Sequence, residues 1–256
     1  MSPEMIHAGL GWQVASVLIA VSFAASFITA AFGIGGGAVM LAVLASLLPA
    51  AAIIPVHGVV QFGSNVGRAG IMLRHVHWAT MLPFLAGAVL GVGLGGAVVV
   101  QLEPGLIQLA VGGFILWSVY APPPDFLRRS AAIAGGVSSF LTMFFGGTGP
   151  FVAAYVRAQN FGRMQHVATH AALMTAQHLL KSLVFGFLGF AFAEWAIFIA
   201  ILVAVGFLGT VVGRLVLGRL EDVGFRRILG VILTLLALRL IYAGAMDLWA
   251  GGEAAL

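Results

Sequence analysis

The chain has 256 residues, of which 61% are hydrophobic and 8% charged, and its mean hydropathy is +1.11. This composition excludes a water-soluble globular domain, in which about a quarter of the residues are charged. The absence of cysteine excludes a disulfide framework and a thiolate metal or redox site. The formal net charge is +4, but the basic residues stand singly or in pairs between apolar stretches, so no nucleic-acid partner is expected.

The apolar stretches predict an all-α, polytopic bundle of transmembrane helices. Seven of them approach the roughly 20 residues that a helix needs to cross a membrane. They run over 13–31, 55–73, 79–100, 104–121, 166–188, 192–213 and 225–245. Two further stretches, 37–48 and 150–158, are too short to cross the hydrocarbon core at ~1.5 Å per residue, and they predict half-helices.

Each predicted half-helix follows a glycine-rich break. The first break reads Phe-Gly-Ile-Gly-Gly-Gly over 32–37, and the second reads Phe-Gly-Gly-Thr-Gly-Pro over 145–150. A longer helical stretch precedes each break. We therefore predict two broken hairpins, over 13–48 and 131–158, each with a long and a short helix.

The two hairpins belong to an internal duplication. An offset of 113 residues gives seven identities in the fourteen positions from Ser26 to Val39, and it also pairs His57 with His170. We predict two repeats, each a hairpin followed by three transmembrane helices. The first repeat covers 1–121, a cytoplasmic linker covers 122–130, and the second repeat covers 131–256.

Loop charges predict that the two repeats have inverted topology. The loop after 55–73 carries Arg74, whereas its counterpart carries only Glu194; the next loop carries only Glu103, whereas its counterpart is rich in arginine. Those arginines are Arg214, Arg219, Arg226 and Arg227. Under the positive-inside rule, equivalent loops then lie on opposite sides, with both termini extracytoplasmic. Inverted repeats are typical of secondary transporters that bind substrate near the middle of the membrane.

A stripe of polar side chains follows one face of the first helix after each hairpin. In the first repeat the stripe contains His57, Gln61, Ser64, Asn65 and Arg68. In the second it contains His170, Gln177, His178 and Lys181, with Met174 at the position equivalent to Gln61. Ionisable side chains inside a membrane usually face a bundle interior or a water-filled path, so the stripes predict an anion pathway. Snorkelling of Arg68 and Lys181 to the headgroups is the alternative.

The breaks provide a second candidate feature for binding an anion. A helix that begins after a break presents free backbone N–H groups and the positive end of its dipole to the bundle. The candidate binding residues there are Gly35, Gly36, Gly37, Thr148 and Gly149. Hydroxyls on the preceding helices either donate to the substrate or bond back to their own helix. They belong to Ser22, Ser26, Thr29, Ser139 and Thr142.

Together these motifs resemble the sulfite exporter TauE/SafE family of bacterial membrane proteins, over nearly the whole chain. The resemblance rests on the break at 32–37, the half-helix up to Pro49, the helix from Pro55 through Arg68, and the break at 145–150. It implies export of small sulfur oxyanions or organosulfonates, such as sulfite or sulfoacetate, through the bacterial plasma membrane. It implies no catalytic residues.

The sequence therefore predicts a secondary transporter that works by alternating access and is not an enzyme. Proton coupling is left open; its carrier would be His57, His170, His178 or the substrate. The alternatives are an anion channel, a scaffold without transport activity and, least favoured, an intramembrane metalloenzyme that uses these histidines. We expect a small anion and the lipid bilayer as partners and no cofactor. No metal is expected, because no intramembrane carboxylate or cysteine would complete a typical ligand set. A homodimer is left open.

Overall fold

The computed structural model describes residues 3–33, 35–99, 103–217 and 222–253, and these ranges are helical almost throughout, with no strand among them. The predicted all-α class is confirmed. Several residues on which the predictions rest lie outside the described residues: Ile34 of the first break, Gln101 and Leu102 before Glu103, and Arg219 and Glu221 of the arginine-rich stretch.

The helices follow the chain in two similar series. The first series is α1 (Pro3–His7), α2 (Trp12–Phe32), α3 (Gly36–Leu47), α4 (Ala50–Ile71), α5 (Met81–Val99) and α6 (Pro104–Tyr120). The second series is α7 (Ala131–Phe145), α8 (Gly149–Ala158), α9 (Arg163–Phe187), α10 (Phe192–Val216) and α11 (Asp222–Glu253). A short 3-10 turn, Asp125–Arg128, lies in the linker between them.

Both glycine-rich breaks end a long helix at a glycine with positive φ. Gly33 follows α2 with φ 84°, and Gly146 follows α7 with φ 78°. A residue with a Cβ would be strained there by about 1–2 kcal/mol, which explains the glycine. The chain then forms α3, of 12 residues, and α8, of 10 residues. Both are half-helices, as the sequence predicts, and neither reaches across a core of about 30 Å.

Among the described residues, four helices are long and apolar enough to cross a membrane: Trp12–Phe32, Trp78–Val99, Phe192–Val216 and Arg227–Ala250. The sequence predicts seven. Of the remaining three, α6 has 17 residues, whereas α4 and α9 have 22 and 25 but carry the two polar stripes, which lower their mean hydropathy. Helix α4 begins at Ala50, five residues before the predicted start, and contains Pro55.

Large apolar side chains project from the outer helices. Leu82 on α5 is 75% exposed, Leu215 on α10 is 68% exposed, and Leu235 on α11 is 63% exposed. A contiguous apolar surface of this kind is stable only against lipid. The helices that carry it therefore form the lipid-facing layer of a membrane-embedded, multi-pass protein.

Glycine faces on α5 and α10 each pack against the helix that precedes the break in the other series, α7 and α2 respectively. A Cβ added to Gly91 on α5 would run into the carbonyl oxygen of Gly136 on α7, and one added to Gly209 on α10 would run into that of Phe23 on α2. Phe23 and Gly136 are 113 residues apart, the offset of the sequence repeat. The backbones of the two helix pairs thus approach closely at equivalent places, as small residues allow in membrane helices.

Helices α4 and α9 pack against each other in opposite directions at the centre of the bundle. Near the middle of α4, Gly58 lies against Lys181, in the last third of α9. At the other end of α4, Ala69 and Met72 share an apolar cluster with Val167 near the start of α9. This antiparallel crossing brings the two polar stripes face to face.

Candidate functional site

The stripes meet where α4 and α9 cross. The imidazole of His57 lies edge-on to that of His178, with ring centroids 5.8 Å apart. Arg68 is 1% exposed and Lys181 is 0% exposed, so neither cation reaches the surface of the bundle. Burial of both side chains argues against snorkelling to the headgroups, since a snorkelling side chain keeps its charged end in water.

Two histidines connect the stripes to the half-helices. His57 Nε2 lies 3.1 Å from the carbonyl oxygen of Gly37, at the start of α3. His170 Nε2 lies 3.2 Å from the carbonyl oxygen of Gly149, at the start of α8. Each histidine therefore holds the half-helix of its own series close to the polar stripe.

A cavity of about 60 Å³ lies between the two breaks and the two stripes. Its volume suits one small polyatomic ion or a few water molecules. The residues that line it are Thr29, Gly35, Gly37, Ala38, His57, Gln61, Asn65, Arg68, Gly147, Gly149, Pro150, His170, Met174 and His178. No acidic side chain is among them, so the cavity presents cationic and polar groups together with a few apolar ones.

Several hydrogen-bonding atoms around this cavity have no partner among the described residues. Arg68 donates from Nη2 to Asn65 Oδ1 at 2.9 Å, but its Nε and Nη1 are buried and unpartnered. The Nδ1 atoms of His57, His170 and His178 are also buried and unpartnered. In the described ranges no carboxylate lies within ion-pair distance of Arg68. A buried cation with free N–H groups and no counter-ion is an incomplete site for an anion.

The structure places nine of the fourteen predicted site residues on the cavity wall. They are Gly35, Gly37, His57, Gln61, Asn65, Arg68, Gly149, His170 and His178. The other five, Gly36, Ser64, Thr148, Gln177 and Lys181, lie behind it. Thr29, Ala38, Gly147, Pro150 and Met174 line the cavity without being in the predicted set. Four of these five residues could have been found in the sequence because they lie in or beside a break. Met174 could have been found because it occupies the position in the second stripe that is equivalent to Gln61.

A hydrogen-bonded network supports the second break from behind the cavity. Gln177 Nε2 donates to Thr148 Oγ1 at 2.7 Å, and Ser138 Oγ donates to Gln177 Oε1 at 3.0 Å. Thr148 Oγ1 in turn donates to the carbonyl oxygen of Ser138 at 2.9 Å. Because these polar groups satisfy one another, Gln177 and Thr148 position the backbone of the break and do not face the cavity.

The first half has a simpler arrangement behind the cavity. Ser64 Oγ lies 3.0 Å from Ser26 Oγ, which links α4 to α2. The Gly36 backbone packs against Ala25 and Thr29, so a side chain at this position would collide with α2. These two residues fix the position of the first break, as Gln177 and Thr148 do for the second.

Two further cavities on the linker side share wall residues with the central one or with each other. A cavity of about 170 Å³ shares Gly35, Ala38 and Pro150 with it. A wider vestibule of about 550 Å³ includes Pro150 again, together with Arg128 and Arg157. Pro150 therefore lines all three spaces.

The first turns of α4, on the side away from the linker, border a different cavity. It has a volume of about 270 Å³ and shares no lining residue with the central one. Its wall is almost wholly apolar and includes Ala51, Ile54, Pro55, Val99 and Phe185. The cavities that share wall residues with the central one thus lie on its linker side, whereas the apolar cavity borders the first turns of α4.

A metal centre finds no support in the described ranges, where no three His, Cys, Asp or Glu side chains are grouped so that they could hold a metal ion. The three histidines of the site direct Nε2 or ring edges at carbonyl groups and at one another.

A lipid-facing helical layer around a buried polar cavity between two broken hairpins defines the protein as a polytopic membrane transporter. The model of the family described as "Sulfite exporter TauE/SafE" matches residues 18–240, nearly the whole chain, and the protein belongs to this family. The resemblance seen in the sequence is confirmed. No curated protein and no solved structure gives a significant match to the chain.

Proposed function

We propose that this protein is a secondary transporter that exports a small sulfur-containing anion, such as sulfite or an organosulfonate like sulfoacetate, across the bacterial plasma membrane. The observation that carries the proposal is Arg68, a fully buried guanidinium with two unpartnered nitrogen atoms at a cavity that has no carboxylate. An oxyanion bound there would accept hydrogen bonds from the free N–H groups of Arg68 and compensate the positive charge of the guanidinium.

The cavity wall supports a substrate with both a charged and an apolar part. Gln61, Asn65 and Thr29 add polar groups near Arg68, whereas Met174 and Ala38 add apolar surface. Sulfite would use the polar part alone. An organosulfonate would place its methylene group against the apolar part, so the two substrate classes differ in which residues they need.

Alternating access is the mechanism that the arrangement supports best. The antiparallel crossing of α4 and α9 and the equivalent contacts of Gly91 and Gly209 favour an inverted repeat, and such repeats form two mirror-related gates around a central site. The three cavities that share wall residues would form the open path on one side, with Arg128 and Arg157 attracting anions to its mouth.

Orientation follows from the basic loops. With the linker and Arg74, Arg157 and Arg214 on the cytoplasmic side, the vestibule at the linker opens to the cytoplasm and both termini are extracytoplasmic. An exporter collects its substrate from that side. A small anion and the bilayer are then its partners, with no nucleic acid, and a homodimer is compatible with the exposed apolar surface of α11.

An anion channel is the nearest rival, and flux measurements on purified protein in proteoliposomes separate the two. A transporter gives anion efflux that saturates with concentration and is competed by a second substrate; a channel gives conductance that does not saturate in this way. The anions to compare are sulfite, sulfate, thiosulfate, sulfoacetate, taurine and simple carboxylates. Efflux of none of these anions, in vesicles whose protein is folded and oriented, would contradict the proposal.

A thermal-shift screen with the same anions gives an independent measurement of binding. A ligand that binds the folded state alone raises the melting temperature by mass action. Enzymatic turnover can be followed in the same samples by checking that the added anion is recovered unchanged.

A further inference from the structure

The second break is held by a cation. Lys181 Nζ donates to the carbonyl oxygen of Gly146 at 2.8 Å, and Thr142 Oγ1 donates to the same oxygen at 2.9 Å. The Lys181 side chain reaches it by crossing α4 at Gly58, where an added Cβ would lie 2.9 Å from Lys181 Cε. The charge of Lys181 is thus engaged at the break and does not line the central cavity.

The first break has the equivalent residues but a different arrangement. Under the offset of 113 residues, Gly33, Thr29 and Arg68 correspond to Gly146, Thr142 and Lys181. Thr29 Oγ1 donates back to the carbonyl oxygen of Ala25 at 2.9 Å, and Arg68 donates only to Asn65. Of the side-chain hydrogen bonds in the described ranges, none from these two residues reaches the Gly33 carbonyl. Arg68 faces the cavity instead.

We propose that Arg68 and Lys181 exchange these roles during transport. In the present state Lys181 holds the second break and Arg68 is free to bind the anion. In the opposite state Arg68 holds the first break through the Gly33 carbonyl, and Lys181 leaves Gly146 to bind the anion. This inference rests on the proposed alternating-access function and assigns to each cation one side of the membrane.

Charge balance explains why the two cations change together. An unpaired buried cation is costly, so each one needs either a break carbonyl or a bound anion. One anion and one engaged break satisfy both cations in either state. Releasing Lys181 without engaging Arg68 would leave two cations to share one anion, which disfavours any intermediate with both breaks released.

A fixed difference between the halves is the competing explanation, since arginine and lysine differ in shape and Ala25 corresponds to Ser138. In that case Lys181 would hold Gly146 in every state. The two explanations predict different responses when each cation is removed, and the test below is built on that difference.

The cysteine-free chain allows each end of the pathway to be probed with a single introduced thiol. Ser118→Cys reports on the path from the linker side, because Ser118 lines both outer cavities there. Ala51→Cys reports on the cavity at the other end of α4. The rate of reaction with a membrane-impermeant methanethiosulfonate is measured for each reporter in detergent-purified protein.

Lys181→Met removes the bond that holds the present state and keeps the apolar length of the side chain. We expect Ser118→Cys to react more slowly and Ala51→Cys to react faster, each by about tenfold, as expected for loss of one charge-assisted hydrogen bond. Arg68→Met removes the bond of the opposite state, so both rates change in the opposite direction. The double variant returns both rates towards those of the parent. Arg214→Met, an exposed cation on α10, is the matched control and leaves both rates unchanged.

The exchange is overturned if both variants change the rates in the same direction, or if Arg68→Met changes neither. Should a cation variant fail to fold, Lys181→Gln and Arg68→Gln test the same exchange with uncharged side chains. They should give smaller shifts of opposite sign; shifts of equal sign, or none, contradict the exchange. Because the labelling rates do not depend on the identity of the anion, they separate failure of this inference from failure of the proposed export of sulfur anions.

Discussion

His57 and His170 occupy equivalent positions in the two halves and make equivalent hydrogen bonds. Each directs Nε2 at a carbonyl oxygen at the start of a half-helix, at 3.1 Å for His57 and 3.2 Å for His170. A carbonyl can only accept, so both Nε2 atoms carry a hydrogen. In the neutral rings Nδ1 is then a free proton acceptor, and it has no partner in either residue.

This geometry predicts that the two histidines move protons with the anion. His57→Gln and His170→Gln keep a side-chain N–H for the carbonyl but cannot be protonated. We expect both variants to fold and to bind the anion, while proton movement coupled to anion flux is lost. A pH-sensitive dye inside proteoliposomes measures that coupling.

The matched control for the histidine variants is His75→Gln, which lies in the short turn Leu73–His75 after α4 and outside the site. It should leave the dye signal unchanged. An unaltered proton signal in the double variant of His57 and His170 would assign the proton to His178 or to the substrate.

Arg68→Met should change the stability of the empty protein and its affinity for the anion in opposite directions. Removing a buried charge that lacks a counter-ion should raise the melting temperature of the empty protein, since its burial is costly. The same variant should bind the anion at least about tenfold more weakly, because the free N–H groups are lost. Melting curves with and without sulfite measure both effects. A lower melting temperature together with unchanged sulfite binding would mean that Arg68 is structural.

The loss of stability when a glycine at a helix contact is replaced by alanine should depend on the atoms that the new methyl group meets. In Gly91→Ala the new methyl group meets the backbone of α7, which cannot move aside, so we expect a loss of about 1–3 kcal/mol in stability. Gly93→Ala, on the same helix, has no atom within 4 Å of the added Cβ and should be neutral. Thermal denaturation in detergent compares the two.

The second half offers a repeat of the same measurement. Gly209→Ala directs its methyl group at the backbone of Phe23 on α2 and should destabilise the protein to a similar extent. Equal stability of the Gly91 and Gly93 variants would contradict the close backbone approach of α5 and α7.

Met174 should influence which sulfur anion is preferred. It lines the cavity at the position that Gln61 occupies in the other half. Met174→Gln removes apolar surface, so the affinity for sulfoacetate should fall relative to sulfite by about fourfold, as for one lost methylene contact. Competition of the two anions in the efflux assay gives the ratio. Val66→Gln on the exposed side of α4 is the control and should leave the ratio unchanged.

Much of the candidate site could be predicted because polar side chains in membrane helices must face the interior of the bundle, where other polar groups can pair with them. The stripes on α4 and α9 and the glycine breaks recur at a constant offset, and buried hydrogen-bonding groups must face one another inside a membrane. Helix periodicity therefore identified the face that carries Asn65 and Arg68, and the duplication identified its partner face.

Periodicity does not reveal which side chain is satisfied by a neighbour. Arg68 and Lys181 hold equivalent positions, yet Lys181 bonds Gly146 while Arg68 lines the cavity. The amide of Gln177 likewise donates a hydrogen bond to Thr148 and is not available to the cavity. These differences depend on distances of a few ångströms between helices far apart in sequence, and a stripe on one helix contains no information about them.

Hydropathy was least informative for the central helices. Buried polar groups lower the mean hydropathy of α4 and α9, although both helices are long enough to cross a membrane. The proline at position 55 led to a predicted helix start there, whereas α4 begins at Ala50. Proline inside a helix is tolerated in membranes because neighbouring groups satisfy the freed carbonyl.

The glycine contacts between α5 and α7 and between α2 and α10 have a consequence for the origin of the chain. The glycine faces of α5 and α10 are each covered by a helix from the other predicted half, so neither half can bury these faces alone. With the inverted topology proposed above, a half-length ancestor would have needed a second copy of itself, inserted in the opposite orientation, to form the same contacts. Fusion of two such genes would preserve an antiparallel dimer within one polypeptide, and coexpressed fragments 1–121 and 122–256 should reassemble for the same reason.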